Sequence, residues 1–190
     1  MASPKILVFA GSIRTGAWSG KLAAAAAKEF AREGADVTLL SLADYPMPIY
    51  NGDDEKEAGV PENAKKLARQ IGAHQGVFVS TPEYNNSLPA LLKNSIDWVS
   101  RINDDEIRYK HRVYALGSSS PGPSGGVRAL MELRPVLANG LGAILIPNKV
   151  EVPHAGKAFD ESGNIVAERP QKTLAAVAKH LIKYADRLAD

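Results

Sequence analysis

The chain has 190 residues, 45% of them hydrophobic, which is enough for one full core and too few for two. A formal net charge of +2, with both signs mixed along the chain, argues against the concentrated basic surface that a nucleic-acid partner requires. The absence of cysteine excludes disulfides, thiolate zinc sites, iron–sulfur ligation and a cysteine nucleophile, so any redox chemistry needs a borrowed cofactor.

The first apolar run, Ile6 to Phe9, is too short for a signal sequence and reads as a strand entering Gly11 and Ser12. No run approaches the ~20 apolar residues of a membrane span. The expectation is therefore a cytoplasmic protein forming a single domain over residues 1–190. Leu22, Ala26 and Phe30 share a helical face before Gly34, a C-terminal cap candidate, and Val37 to Leu40 is the second strand. Pro61 suits the first turn of a helix whose apolar face carries Ala64, Leu67, Ala68 and Ile71, with Gly72 as its cap. Val77 to Val79, then a helix from Ala90 to Arg101 with Leu92, Ile96 and Val99 inward, continue the alternation. Val113 to Leu116 precedes a loop over Ser118 to Gly126, and a helix from Val127 to Leu137 contains Pro135, which should kink it. Ala143 to Ile146 is the fifth strand, followed by Pro170 and a helix burying Leu174, Val177, Ala178, Leu181 and Leu188. Strands that are apolar without polar alternation point to a parallel sheet covered on both faces. The βα order points to a doubly wound α/β fold, whose ligands sit at the strands' carboxyl ends.

Two loops at those ends could carry chemistry. The first strand runs into Gly11-Ser12-Ile13-Arg14-Thr15-Gly16-Ala17-Trp18-Ser19-Gly20 and then a helix. Small residues let backbone approach an anion, a helix N-terminus offers N–H groups, and Ser12, Thr15 and Ser19 offer hydroxyls, with Arg14 adding charge. The spacing is neither the Walker loop nor the G-x-G-x-x-G fingerprint. Taken alone, the segment reads equally as a glycine-rich turn with Ser19 as N-cap. After the third strand comes Thr81-Pro82-Glu83-Tyr84-Asn85-Asn86-Ser87-Leu88-Pro89. Its prolines suggest a stiff, extended backbone able to bind the polar edge of a planar heterocycle, with Tyr84 as an aromatic surface; the bland alternative is an ordinary turn. Trp98 reads as packing, and Arg101 either closes its helix against the dipole or reaches a phosphate or acceptor. His74, His111, His154 and His180 show no metal-ligand spacing, and Ser118 to Ser120 lack the nucleophile-elbow pattern.

GSIR in the first loop, TPEYNNSLPALLKNSIDWVSR in the middle and SSSPGPSGGVRAL after the fourth strand resemble the NADPH-dependent FMN reductase family, especially its chromate and quinone reductase branch. The resemblance spans Ile6 to about Val152. It implies a flavodoxin-like three-layer sandwich with a five-stranded parallel sheet in the order 2-1-3-4-5. It also implies bound FMN whose phosphate is held by Ser12, Arg14 and Ser19 with the backbone of Thr15, Gly16, Ala17, Trp18 and Gly20. Ala17 and Ser19 depart from the serine and asparagine frequent there, so the anion site is expected to persist through its backbone. Pro82, Glu83, Tyr84 and Asn85 are implied around the isoalloxazine, with Ser118, Ser119, Ser120 and Gly125 near its other edge. The loop from Tyr45 to Tyr50 is expected to help line the site, and Arg101 and Tyr50 are candidate contacts for NAD(P)H or the acceptor.

The implied activity is ping-pong hydride transfer from NADPH or NADH, through N5 of the flavin, to quinones or other small acceptors such as chromate, ferric chelates, azo or nitro compounds. No catalytic side chain and no metal is implied. A homodimer or homotetramer is implied, with Arg128 and Glu151 pairing across a tetramer contact. The rival is a flavodoxin-type FMN electron carrier that does not itself oxidise NAD(P)H, disfavoured because such carriers are strongly acidic. A flavin-free domain on the same sheet is a third reading.

Overall fold

The computed structural model describes residues 3–104, 107 and 109–188. Five strands, β1 (Lys5–Ala10), β2 (Asp36–Leu40), β3 (Gly76–Thr81), β4 (Val113–Ser119) and β5 (Ile144–Val152), pair in parallel in the order β2-β1-β3-β4-β5. Among the described residues seven α-helices accompany them: α1 (Trp18–Arg32), α2 (Gly52–Ala58), α3 (Glu62–Gly72), α4 (Ala90–Val99), α5 (Val127–Leu141), α6 (Ala155–Ala158) and α7 (Glu168–Arg187). This is the flavodoxin-like three-layer arrangement expected from the sequence.

Consecutive side chains of a strand point to opposite faces, so the apolar runs serve two cores. Ile6, Val8, Phe78, Val113 and Ala115 meet α1 and α7 on one face. Leu7, Phe9, Val77, Val79, Tyr114 and Leu116 meet α3, α4 and α5 on the other. Burying side chains such as Phe30 and Leu22 contributes about 1.5–3 kcal/mol each. Gly117 is required by close packing: a Cβ there would lie 2.6 Å from Phe78 Cζ and 2.9 Å from Val150 Cγ1.

β3 and β4 are fully buried and β1 is buried from Ile6 to Phe9, whereas β2 and β5 are only half covered because each lacks a neighbour on one side. β5 outruns its expected span, reaching Val152 past an irregularity opposite Tyr114 and Leu116 that accommodates Pro147 on the edge strand. Pro61 and Pro89 stand one residue before α3 and α4, Pro170 lies in the first turn of α7, and Gly34 follows α1 at φ +91°. Gly72 is not a left-handed cap; it remains helical, and Ala73 ends α3. The helix expected to reach Arg101 ends at Val99, and α5 continues through Pro135 to Leu141. Leu188 falls at the exposed end of α7, and Ala185 takes the core position. Among the described residues, no helix is long and apolar enough to cross a membrane.

His74 ties the edge strand to α3: its Nδ1–H donates to the Gln70 carbonyl at 2.6 Å, which leaves Nε2 to accept from the Thr38 hydroxyl at 2.8 Å. Burial holds its pKa below the ordinary histidine value, partly opposed by the bond to Gln70. The folded state therefore binds fewer protons than the unfolded state just below about pH 6.5. Stability should be fully present above that pH and fall as pH drops towards 5. Urea unfolding at pH 8 and pH 5.5 checks this: His74→Gln should show a smaller loss between the two than the native chain.

Candidate functional site

All five strands end at one edge, and the loops after β1, β3 and β4 meet there around a cleft of about 270 Å³. Arg14, Ala17, Trp18 and Ser19 form one wall, Pro82, Glu83 and Tyr84 a second, and Ser119, Ser120 and Pro121 a third. Of these, only Pro121 was not singled out from the sequence; it belongs to the Ser/Gly/Pro run read as a loop. Ser118 and Ser119 themselves are strand residues, because β4 continues to Ser119 before the chain turns.

The first wall is the turn into α1. Ala17, not Ser19, is the N-cap, and no side chain caps the helix. The N–H groups of Trp18, Ser19 and Gly20 consequently have no acceptor within the helix. Ser19 lies within the first turn, and its buried hydroxyl has no hydrogen-bond partner among the described residues. The Ser119 hydroxyl across the cleft is in the same condition. Such buried orphan groups each cost about 1–3 kcal/mol unless something satisfies them, and here both belong to residues lining one cleft. Trp18 is anchored by stacking on Phe159, centroids 6.0 Å apart, and by Lys21 Nζ at 4.6 Å from its ring.

The second wall is tighter than the extended segment expected. Tyr84 and Ser87 exchange two backbone hydrogen bonds of 3.0 and 3.1 Å, closing a two-residue turn in which Asn85 and Asn86 have φ of 51° and 67°. Asparagine tolerates this left-handed backbone, so the Asn-Asn pair, rather than the prolines, shapes the loop. Tyr84 OH lies 3.0 Å from Ser12 Oγ, linking the second wall to the first. The Glu83 carboxylate turns towards α5, accepting the Arg128 N–H at 3.0 Å and facing its guanidinium at 3.4 Å. Arg128 Nη1 also donates to Asn86 Oδ1, and the Ser87 hydroxyl donates to Glu132. The third wall is braced by the Ser118 hydroxyl donating to the Gly125 carbonyl at 2.7 Å, with Gly125 at φ +63°.

Among the remaining candidates, Ser12, Asn85, Ser118 and Gly125 support the walls without lining the cleft, Thr15 stands in the exposed turn, and Gly16 and Gly20 line an adjoining groove. Arg101 and Tyr50 are brought together outside the cleft. Both bind the Glu55 carboxylate, Arg101 Nε at 3.0 Å and Tyr50 OH at 2.9 Å. The Arg101 contact, followed by that from Tyr50, holds the Glu55 carboxyl below its ordinary value against some desolvation, while Glu55 raises the Tyr50 phenol. Tyr45 to Tyr50 does not line the cleft; the Pro48 carbonyl accepts from Trp98 Nε1 at 2.8 Å and Asn94 Nδ2 at 2.9 Å. Glu55 and α2 were missed in the sequence, although Asn51 as N-cap and Asp53, Asp54 and Glu55 in the first turn are a readable helix start. Within the chain, Arg128 pairs with Glu83 and Glu151 with Lys149.

A parallel α/β sheet in the order β2-β1-β3-β4-β5, with a cleft at the carboxyl ends of its strands, is a flavodoxin-like architecture. The chain belongs to the NADPH-dependent FMN reductase family, whose model matches residues 4–157. A quinone reductase of Escherichia coli strain K12 is 35% identical over 168 residues, covering 83% of this chain and 86% of that protein. A 2-hydroxy-1,4-benzoquinone reductase of a Burkholderia species is 31% identical over 174 residues, 90% of each chain. The flavoenzyme FerB, a NAD(P)H:(acceptor) oxidoreductase from Paracoccus denitrificans, superposes with a TM-score of 0.79 at 27% identity, covering 97% of this chain and 98% of that one.

The Glu83 contact to the start of α5 makes a specific prediction. Glu83→Ala should lower stability by about 1–2 kcal/mol, as loss of a helix cap does, whereas Glu83→Gln, whose amide oxygen can still accept the Arg128 N–H, should lose less. Urea denaturation of the two variants beside the native protein measures the difference.

Proposed function

We propose that this protein is an FMN-dependent NAD(P)H oxidoreductase that reduces quinones and other small acceptors, with the cleft between the three loops as its flavin site. The observation that carries this reading is the pairing of two orphan hydroxyls, Ser19 and Ser119, on opposite walls of a cleft that also borders the uncapped start of α1. A phosphomonoester needs donors of this kind, and the N–H groups of Trp18, Ser19 and Gly20 with the Ser12 and Ser19 hydroxyls and Arg14 would hold it. Pro82 to Asn85 and Ser118 to Gly125 would hold the ring.

FMN, when bound, supplies the hydride-accepting and electron-donating chemistry, so no side-chain nucleophile is required. The chain's own residues orient and shield. The Asn85–Asn86 turn fixes the backbone beside Tyr84, and the Ser12–Tyr84 hydrogen bond sets the spacing of two walls. Glu83, bound by Arg128, ties the loop after β3 to the start of α5, the helix that follows the third wall. Glu83 thereby acts as a positioning residue. We further propose a homodimer or homotetramer, tested by light scattering of the purified protein.

Ser19→Ala should separate structure from binding: removing an orphan hydroxyl leaves the flavin-free protein as stable or slightly more so, while FMN affinity falls about tenfold, the loss of one charge-assisted bond. Thermal unfolding and calorimetry with FMN measure the two effects. Native protein that is folded but takes up no FMN would sink the reading. Initial rates at varied NAD(P)H and quinone should give parallel double-reciprocal lines, and intersecting lines from an obligatory ternary complex would exclude the ping-pong scheme. Prompt anaerobic bleaching of bound flavin by NADPH would set the protein apart from an electron carrier.

A further inference from the structure

A second groove, of about 420 Å³, opens on the outer side of the same turn. Arg14 and Ala17 line both it and the cofactor cleft, so the two adjoin. Arg14, Lys21 and Lys28 face it, against a single carboxylate, Glu161, on the loop that ends at Gly163. Among the described residues none of these three cations lies in an ion pair, although many other surface cations do. Their direct partners are neutral, Lys21 Nζ over the Trp18 ring at 4.6 Å and Lys28 Nζ donating to Asn164 Oδ1 at 3.2 Å, while Lys28 also acts at longer range on the Asp160 carboxylate that Asn164 binds. With three cations against Glu161 in the lining and Asp160 beside Lys28, the concave surface keeps an excess of positive charge where an anion can enter. The volume far exceeds that of a lone phosphate, and the Glu161 carboxylate can accept hydrogen bonds only, as a sugar hydroxyl or an exocyclic amine would offer.

We propose that this groove receives the phosphate-bearing adenosine end of a dinucleotide whose reactive end occupies the adjoining cleft. The inference rests on the flavin reading of that cleft. The shared chemistry is an adenosine phosphate, and it has two sources: the 2′-phosphate of NADPH or the adenylate half of FAD. Lys21 and Lys28 are the residues specific to this groove.

The test uses the double variant Lys21→Gln/Lys28→Gln beside the native chain. Calorimetry with adenosine 2′,5′-bisphosphate needs no flavin and should show affinity in the native protein that falls about tenfold or more in the variant, since each lysine supplies one charge-assisted hydrogen bond that glutamine cannot replace. If the hydride donor is the source, KM for NADPH rises by a similar factor while KM for NADH does not move. If FAD is the source, the single variant Lys28→Gln, which leaves the Lys21–Trp18 contact intact, loses FAD affinity while FMN affinity is kept. Equal effects on both members of each pair, or bisphosphate binding that is absent or indifferent to the lysines, would overturn the proposal. Failure of the native protein to bind FMN would instead sink the flavin reading, and the bisphosphate titration would still decide this one.

Discussion

The structure depends on one constraint of its sheet. All five strands are parallel, so their carboxyl ends share an edge, and β1 lies beside β3 while the helices that follow them go to opposite faces. α1 packs with α7 on one face, and α4 packs with α3 and α5 on the other. The loops leaving β1 and β3 therefore diverge, and the Ser12–Tyr84 hydrogen bond bridges them. The Gly11 N–H donating to the Ser80 carbonyl at 2.8 Å keeps the two strands in register up to the point where they part. The cleft is a consequence of winding before it is a consequence of any side chain.

Onto that gap the chain places groups that a folded protein ordinarily avoids. Asn85 and Asn86 adopt positive φ, α1 starts without a side-chain cap, and the hydroxyls of Ser19 and Ser119 are buried without partners. Each is tolerable because the cores beneath are well packed, with β1, β3 and β4 almost wholly buried. Unsatisfied donors gathered around one cleft are the expected mark of a preorganised binding site, since a ligand that satisfies them recovers what burial cost.

Charges around the cleft divide into two kinds. Glu83–Arg128 and Glu55–Arg101–Tyr50 are closed units that lock loops to helices, one bracing the second wall and the other seating α2 and the segment before it against α4. Among the described residues Arg14, Lys21 and Lys28 lie in no ion pair; Lys21 and Lys28 have neutral direct partners, with Asp160 at longer range from Lys28. That difference separates residues that shape the site from residues suited to meet a charged ligand. It also explains why Arg101, an attractive ligand contact on charge alone, acts as a tether within this chain.

How much of this was legible beforehand follows from the range of the interactions concerned. Periodicity located every strand and all the long helices, because apolar burial on both faces of a parallel sheet leaves a local trace in runs such as Ile6 to Phe9 and Val77 to Val79. The glycine-rich first loop and the loop around Tyr84 were readable as candidate walls for the same reason: their composition is unsuited to strand or helix. What composition could not convey was partnership. Whether Glu83 faced a ligand or the start of α5, and whether Arg101 met a phosphate or Glu55, depend on residues 45 and 46 positions away. Whether Ser19 capped a helix or stood orphaned inside it depends on where that helix begins. The sequence by itself determined the order of elements and the loops that could matter. Tertiary structure alone decided which side chains meet, because hydrogen bonds and ion pairs act over a few ångströms in space and leave no period along the chain.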